Sequence, residues 1–337
     1  MEFPAPMGLL DFLRSRVAQR RPRAAGLLAG LRARVPGGSA AGLLPPPSEA
    51  AAEAERRLGD RFAAELHAYG AREPAGLGRR IAALLAAAAR KRPDELEEAL
   101  GGLQPWELPA LLESLEARGD LPRSALVATA RLLAERTGSW EVLAAAIGLV
   151  GLAPAPEDLP LFETAARSTA LAGVCAMSAE PLGPEVLLRL ARRAEGIGRA
   201  MALERLGLAT ADDPQALAPL AAEALRLAGT IEDPAARAYA AVPLLELADA
   251  AALLADDPAL ADPIAACLEA AARGGWNGGP GPGLGRLPGA TKAAELILAG
   301  DLPEEVRRRC ARAVLAAHPM PAGPVRKAAQ TLLDASA

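Results

Sequence analysis

Apolar residues recur along most of this chain at the three- and four-residue spacing of an amphipathic helix. At residues 108–115, 187–194 and 325–332 they fall at positions i, i+3, i+4 and i+7, which places them on one face of a helix. No segment alternates apolar and polar residues in the way that a half-buried strand does. The pattern therefore predicts an all-α protein.

Recurring start signals separate these short helices. In each signal an aspartate precedes a proline, and the two fit the N-cap and the first turn of a helix. Such pairs begin at Asp213, Asp233 and Asp257, and Asp213, Asp257 and Asp301 are spaced 44 residues apart. A period of about 40 to 47 residues with two helices per unit is typical of HEAT and armadillo arrays. The sequence thus favours an α-solenoid of HEAT-like helical pairs over a compact bundle, which would have fewer and longer helices.

The central segment, residues 139–220, resembles the repeats of bacterial HEAT-like proteins. In those repeats a Gly-x-Gly-Arg turn introduces a helix that ends in Glu-Arg-Leu. The matching residues are Gly196, Gly198, Arg199, Glu204, Arg205 and Leu206. Ile197 stands where the family pattern has a tryptophan. The resemblance implies a solenoid and carries no activity.

The first 47 residues differ from the rest. Residues 7–21 and 24–35 have the pattern of two short amphipathic basic helices, and residues 36–50 form a Pro/Gly-rich linker. Seven arginines against two acidic residues give residues 1–36 a local charge of +5. We therefore expect a helical extension and linker at 1–47 and the repeat array at 48–337. The extension could cap the first repeat, whose apolar face would otherwise be exposed.

Motifs for catalysis or cofactor binding are not found. The two histidines, His67 and His318, are far apart, and neither belongs to a zinc motif. We interpret the three widely spaced cysteines, Cys175, Cys267 and Cys310, as buried small hydrophobic residues. No apolar segment reaches the roughly 20 residues of a membrane span. We expect no cofactor, no metal and no catalytic residue, and a cytoplasmic location.

Arginine outnumbers lysine by 34 to 3, a bias that we attribute first to a GC-rich genome. Two groups of arginines fall on predicted helices: Arg189, Arg192, Arg193 and Arg199, and then Arg307, Arg308, Arg309 and Arg312. They could line a concave surface that accepts an acidic segment or phosphates. Alternatively, they form solvated faces that are paired with nearby glutamates.

The segment at 274–289 is rich in glycine and proline and contains Trp276 and Arg286. It does not fit a phosphate-binding loop, because Gly289 is separated from Lys292 by two residues and no hydroxyl residue follows the lysine. Two interpretations are left. The segment is a plain connection between helices, or it presents Trp276 and Arg286 to a partner.

We expect a non-enzymatic scaffold that binds a protein or peptide, one with acidic character, in the groove of the array. The predicted contacts are Trp276, Arg286, Arg192, Arg193 and Arg199. Two alternatives stay open. One is a nucleic-acid-binding protein of the HEAT-like alkylation-repair glycosylase type, which the net charge of −4 and the scarcity of aromatic residues disfavour. The other is attachment to a membrane or a large assembly through basic residues 7–21.

Overall fold

A computed structural model of the chain describes residues 27–28, 76–103, 107–119, 121–273, 284–317 and 323–335. Within these ranges the chain forms sixteen α-helices and no β-strand, which confirms the all-α prediction. The predicted linker, and all of the basic N-terminal segment except Leu27 and Leu28, lie outside the described residues.

The helices are α1 (Leu77–Ala89), α2 (Pro93–Leu100), α3 (Glu107–Glu116), α4 (Arg123–Ala134), α5 (Trp140–Gly151), α6 (Leu159–Ala165), α7 (Thr169–Ala179), α8 (Pro184–Arg193), α9 (Gly196–Ala209), α10 (Pro214–Gly229), α11 (Pro234–Leu247), α12 (Ala250–Asp256), α13 (Ala261–Arg273), α14 (Ala290–Ala299), α15 (Glu304–Ala316) and α16 (Pro324–Asp334).

The aspartate–proline signals begin helices as predicted. Helix α10 begins at Pro214 and α11 at Pro234, where the missing N–H of proline is no loss. The side chain of Asp233 accepts hydrogen bonds from the backbone N–H groups of Ala235 and Ala236. Asp257 caps a 3₁₀ turn that leads directly into α13.

The 44-residue spacing of these aspartates does not mark a repeat of two helices. Three helices, α10 to α12, lie between Asp213 and Asp257, whereas two described helices, α13 and α14, lie between Asp257 and Asp301. The signal is local, because an N-terminal carboxylate and a proline favour the start of any helix. The aspartate–proline signal therefore predicts where a helix begins but does not indicate which position that helix has in a repeat.

The helices pack mainly against the helix two places further along the chain. In the odd row each odd-numbered helix contacts the next odd-numbered helix, from α1 to α15. In the even row α2 contacts α4, α6 contacts α8, α8 contacts α10, α12 contacts α14, and α14 contacts α16. The two rows also contact each other through consecutive helices such as α4 and α5 or α8 and α9.

The odd row supplies most of the core. Residues 171–176 of α7 and 264–272 of α13 are buried without interruption, so these helices are covered on every side. Their alanines, glycines and cysteines let neighbouring backbones approach closely. A Cβ atom on Gly207 of α9, for example, would lie 2.5 Å from Cβ of Pro243 on α11, well inside van der Waals contact.

No single described helix is long and apolar enough to cross a membrane. One pair of helices, α11 and α12, meets the criteria of length and composition only when the two are taken together, and they are bent by 88° relative to each other.

Candidate partner-binding surface

Four ion pairs connect consecutive helices of the even row, from α4 to α12. We call them the ion-pair ladder. Its members are Arg131–Asp158, Glu163–Arg189, Arg192–Glu223 and Arg226–Asp257. Each pair joins side chains that are distant in sequence but belong to neighbouring helices or to the turns that flank them. The ladder therefore uses two of the arginines that the sequence offers for binding, Arg189 and Arg192.

Arg192 of α8 is held by Glu223 of α10. Its Nε and Nη2 atoms donate to the two carboxylate oxygens at 2.5 and 2.6 Å, the two-pronged geometry that guanidinium and carboxylate groups favour. The hydrogen bond raises the pKa of Arg192 and holds the pKa of Glu223 below its usual range. Since both side chains are partly exposed, the pair fixes the position of Arg192 at the surface.

Arg199, in the first turn of α9, closes the end of α8. Its Nε donates to the carbonyl oxygens of Ala191 and Ala194, each at 3.1 Å, and its Nη1 donates to the hydroxyl of Thr230 at 2.6 Å. A cation is favourable at the carboxyl end of a helix, where carbonyl groups lack partners within the helix. Because Thr230 is the C-cap residue of α10, Arg199 ties the ends of two even-row helices together.

Arg193 differs from both of these arginines. It is the last residue of α8 and is exposed. Among the described residues it has no hydrogen bond or ion pair. In the described part of the chain, a guanidinium without a partner thus lies between two arginines, Arg192 and Arg199, that hold its surroundings in place.

Arg286 lies near the end of the glycine-rich segment, in the part of it that the structure describes. Helix α13 ends at Arg273 and α14 begins at Ala290, as the sequence predicts. Arg286 ends a short 3₁₀ turn, is exposed, and has no partner in the part of the chain that the structure describes. Trp276 lies outside the described residues. Lys292 pairs with Glu295 within α14, with 3.0 Å between Nζ and Oε2.

Arg193 and Arg286 lie at opposite ends of the even-row helices. The carboxyl ends of α8, α10 and α12 are neighbours, as the contacts of Arg199 with Thr230 and of Arg226 with Asp257 show. The turn after Arg286 instead meets the start of α12, where the N–H of Ala250 donates to the carbonyl of Pro288 at 3.3 Å. A ligand that contacts both arginines must therefore extend along the helices, and α12 alone is about 10 Å long at 1.5 Å per residue.

The arginines of α15 are largely neutralised within the protein. Glu269 on α13 is 7% exposed, and its Oε1 accepts from Arg312 Nε at 2.5 Å and from Arg273 Nη2 at 2.7 Å. Arg309 pairs with Asp262 of α13 and Arg308 with Glu304. The paired interpretation therefore holds for three of the four arginines of this group. Within the described ranges Arg307 has no such partner, and its buried Nε makes no hydrogen bond there.

The cysteines are all buried and unpaired. Burial raises the pKa of Cys267 and of Cys310 to about 12, and it raises the pKa of Cys175 further. A thiol with so high a pKa is a poor nucleophile and a poor metal ligand, because both roles need the thiolate. The described residues contain no group of three or more His, Cys, Asp or Glu side chains that could hold a metal ion.

No protein-family model, no curated protein and no solved structure matches this chain. The likeness to HEAT-like repeats therefore rests on the sequence pattern and stays a hypothesis.

Proposed function

We propose that this protein is a non-enzymatic interaction scaffold, in which HEAT-like helical pairs hold a binding surface for an acidic segment of a protein partner. The packing of most of the described helices against the helix two places along the chain supports a stacked array. In such arrays the repeats act as a stiff support, and the binding side chains are distributed along an extended surface. The cytoplasmic location expected from the sequence belongs to the same proposal.

The observation that carries the proposal is the guanidinium of Arg193, which is exposed and has no partner among the described residues. Guanidinium groups bind carboxylates with two parallel hydrogen bonds. Arg192 and Arg199, on either side, are engaged in contacts within the protein. A cationic group on a helix end that is already ordered loses less entropy on binding than one on a free loop. Arg193 is therefore the member of the predicted set that is best placed to accept a carboxylate.

Arg286 extends this surface to the other edge of the even row. It is exposed and has no partner among the described residues, and it belongs to the same segment, 274–289, as Trp276. We assign Trp276 and Arg286 a second contact with the same partner, since Trp and Arg are enriched at binding hot spots. Arg192 and Arg199 serve in this proposal by fixing the surface, and Arg192 can still present one edge of its guanidinium.

Affinity capture from a lysate of the source organism tests the proposal when variants are compared quantitatively. Arg193→Glu and the double variant Trp276→Ala/Arg286→Ala should each reduce recovery of the same proteins by about tenfold, which corresponds to roughly 1.4 kcal/mol. Arg326→Glu is the matched control, because Arg326 is also exposed and without a partner in the described residues but lies on α16. Equal recovery by Arg193→Glu and wild type would refute the assigned surface.

A further inference from the structure

Along most of the described array, each pair of helices is joined to the next pair through two or more packed helix–helix contacts. The pair α8 and α9, for example, meets the pair α10 and α11 through one contact in each row, α8 with α10 and α9 with α11. Between the pairs α4–α5 and α6–α7 the packing differs. There α5 packs against α7, whereas α4 and α6 form no comparable contact. The even row is also interrupted between α10 and α12, but at that point α10 packs directly against α13. The described helices are thus joined along the odd row alone only between α5 and α7.

The contact between α5 and α7 is close and is made by small residues. A Cβ atom on Gly151, the last residue of α5, would lie 2.6 Å from Oγ and 2.8 Å from Cα of Ser178 on α7. Ser178 is 5% exposed, and most of the other residues of α7 are alanine, glycine or cysteine. A single line of contact between two rigid parts can act as an axis of bending, because no second line of contact opposes their separation. The α5–α7 contact has this geometry.

On the even-row side of this axis, an ion pair takes the place of helix packing. Arg131 of α4 donates two hydrogen bonds to the carboxylate of Asp158, the residue directly before α6. Asp158 is 3% exposed, and its Oδ2 also accepts from the N–H of Ala155 at 2.9 Å. The backbone–backbone hydrogen bonds of residues 152–158, which connect α5 to α6, are all local in the described structure. Asp158 therefore fastens both this connection and the start of α6 to α4.

We propose that the contact between α5 and α7 is a joint about which the array bends, and that the Arg131–Asp158 pair is the clasp that holds this joint closed. When the clasp opens, helices α1–α5 change their orientation relative to α6–α16, while each part keeps its own packing. Motion at such a joint is taken up by a few residues between rigid parts. The predicted partner-binding residues all follow α6 in the sequence, from Arg192 to Arg286, so the joint does not rest on the proposed function.

Distances between pairs of nitroxide labels, measured on the full chain by pulsed electron–electron double resonance, test the joint. Ala128→Cys on α4 and Glu185→Cys on α8 place one label at an exposed position on each side of the joint. Glu185→Cys with Gln215→Cys on α10 is the matched pair, since both of its exposed positions lie on the same side. The native cysteines are buried and should stay unlabelled. The distance distribution should be wider across the joint than on one side of it, and equal widths would overturn the joint.

Asp158→Asn, introduced into both labelled proteins, tests the clasp. It should widen the distribution across the joint or shift its centre by several ångströms, and it should leave the pair on one side unchanged. Arg131→Lys keeps the positive charge but cannot form two parallel hydrogen bonds, so it should give a smaller change of the same kind and keeps the test independent of whether Asp158→Asn folds. Glu157→Gln, at the exposed neighbour of Asp158, is the control and should change neither distribution. An unchanged distribution across the joint in the Asp158 and Arg131 variants would overturn the clasp. Equal widening of both pairs would overturn it too, because the whole chain would then have loosened.

Discussion

Asp158 receives two hydrogen bonds from the guanidinium of Arg131, from Nε at 2.6 Å and from Nη2 at 2.7 Å, although the two residues are 27 positions apart. Asp158 is 3% exposed and also accepts from the backbone N–H of Ala155 at 2.9 Å. The hydrogen bond between Arg131 and the Asp158 carboxylate is the main reason that the pKa of Arg131 is raised. This pair is the most buried rung of the ion-pair ladder and joins α4 to the turn before α6.

Replacing Asp158 by Asn should destabilise the protein by about 2 kcal/mol or more, because it leaves a partly buried guanidinium without its counter-charge. The exposed neighbour Glu157 provides the control, and Glu157→Gln should change the free energy of unfolding by no more than about 0.5 kcal/mol. Chemical denaturation of the two variants measures the difference. Similar small losses in both would mean that the Arg131–Asp158 pair contributes little net stability.

The Arg192–Glu223 pair should make stability depend on pH in the acid range. The hydrogen bond from Arg192 holds the pKa of Glu223 lower in the folded state than the usual glutamate value, which is about 4.3. A lowered folded-state pKa adds stability above the unfolded-state pKa, and this contribution is lost as pH falls through the folded-state pKa. Glu223→Gln should therefore be less stable than wild type near neutral pH, by less than about 1 kcal/mol because the pair is partly exposed.

The difference in unfolding free energy between wild type and Glu223→Gln should then narrow as the pH falls below about 4. Urea denaturation at a series of pH values measures it. Glu232→Gln serves as the control, because Glu232 is exposed and has no partner among the described residues. The range from about pH 7 to about pH 3 includes the pH at which ordinary carboxylates titrate. If the difference in unfolding free energy between wild type and Glu223→Gln stayed constant over this range, the Arg192–Glu223 pair would not be the source of the pH dependence.

The three cysteines should resist modification in the folded protein. Each is buried, and the pKa of each is raised by burial. At about pH 8 a free cysteine, with a pKa of about 8.5, is partly ionised, whereas these three thiols contain very little thiolate. A colourimetric thiol reagent should react only at the rate of unfolding, and all three thiols should react in denaturant. Leu132→Cys adds an exposed thiol that should react at once. Rapid reaction of any native thiol would show that its site opens locally.

Helix positions could be predicted from the sequence because their signals are local. The proline that follows Asp213 starts α10, and the glycine-rich segment separates helices that end at Arg273 and begin at Ala290. The same local character explains why the 44-residue spacing failed as a sign of paired helices, since three helices separate Asp213 from Asp257.

The ion-pair ladder could not be predicted in this way. Its pairs join residues 26 to 31 positions apart, and they depend on which helices become neighbours in the even row. Arg192, Arg193 and Arg199 are close in the sequence, and the sequence gives no reason to assign them different roles. Packing gives them different roles, because Glu223 of α10 engages Arg192 and Thr230, the C-cap residue of α10, engages Arg199. Arg193 is left exposed. Their contacts with a partner remain a prediction.

The close approach of α9 and α11 should make Gly207 intolerant of even one added methyl group. A Cβ there would lie 2.5 Å from Cβ and 3.2 Å from the carbonyl carbon of Pro243. The first of these atoms belongs to the proline ring and the second to the helix backbone, and neither can rotate away. Overpacking of this kind costs about 1 to 3 kcal/mol, whereas the gain in helix propensity from glycine to alanine is at most about 1 kcal/mol.

Gly207→Ala should therefore lower the free energy of unfolding. Gly78→Ala is the matched control, because Gly78 is helical and exposed and a Cβ there would meet nothing within 4 Å. It should be neutral or stabilise the protein by up to about 1 kcal/mol. Thermal and chemical denaturation measure the stability of the two variants relative to wild type. The denaturation midpoint should fall in Gly207→Ala and should stay the same or rise in Gly78→Ala. If Gly207→Ala were as stable as Gly78→Ala, α9 and α11 would have room to separate, and the odd row would be packed less closely than the structure shows.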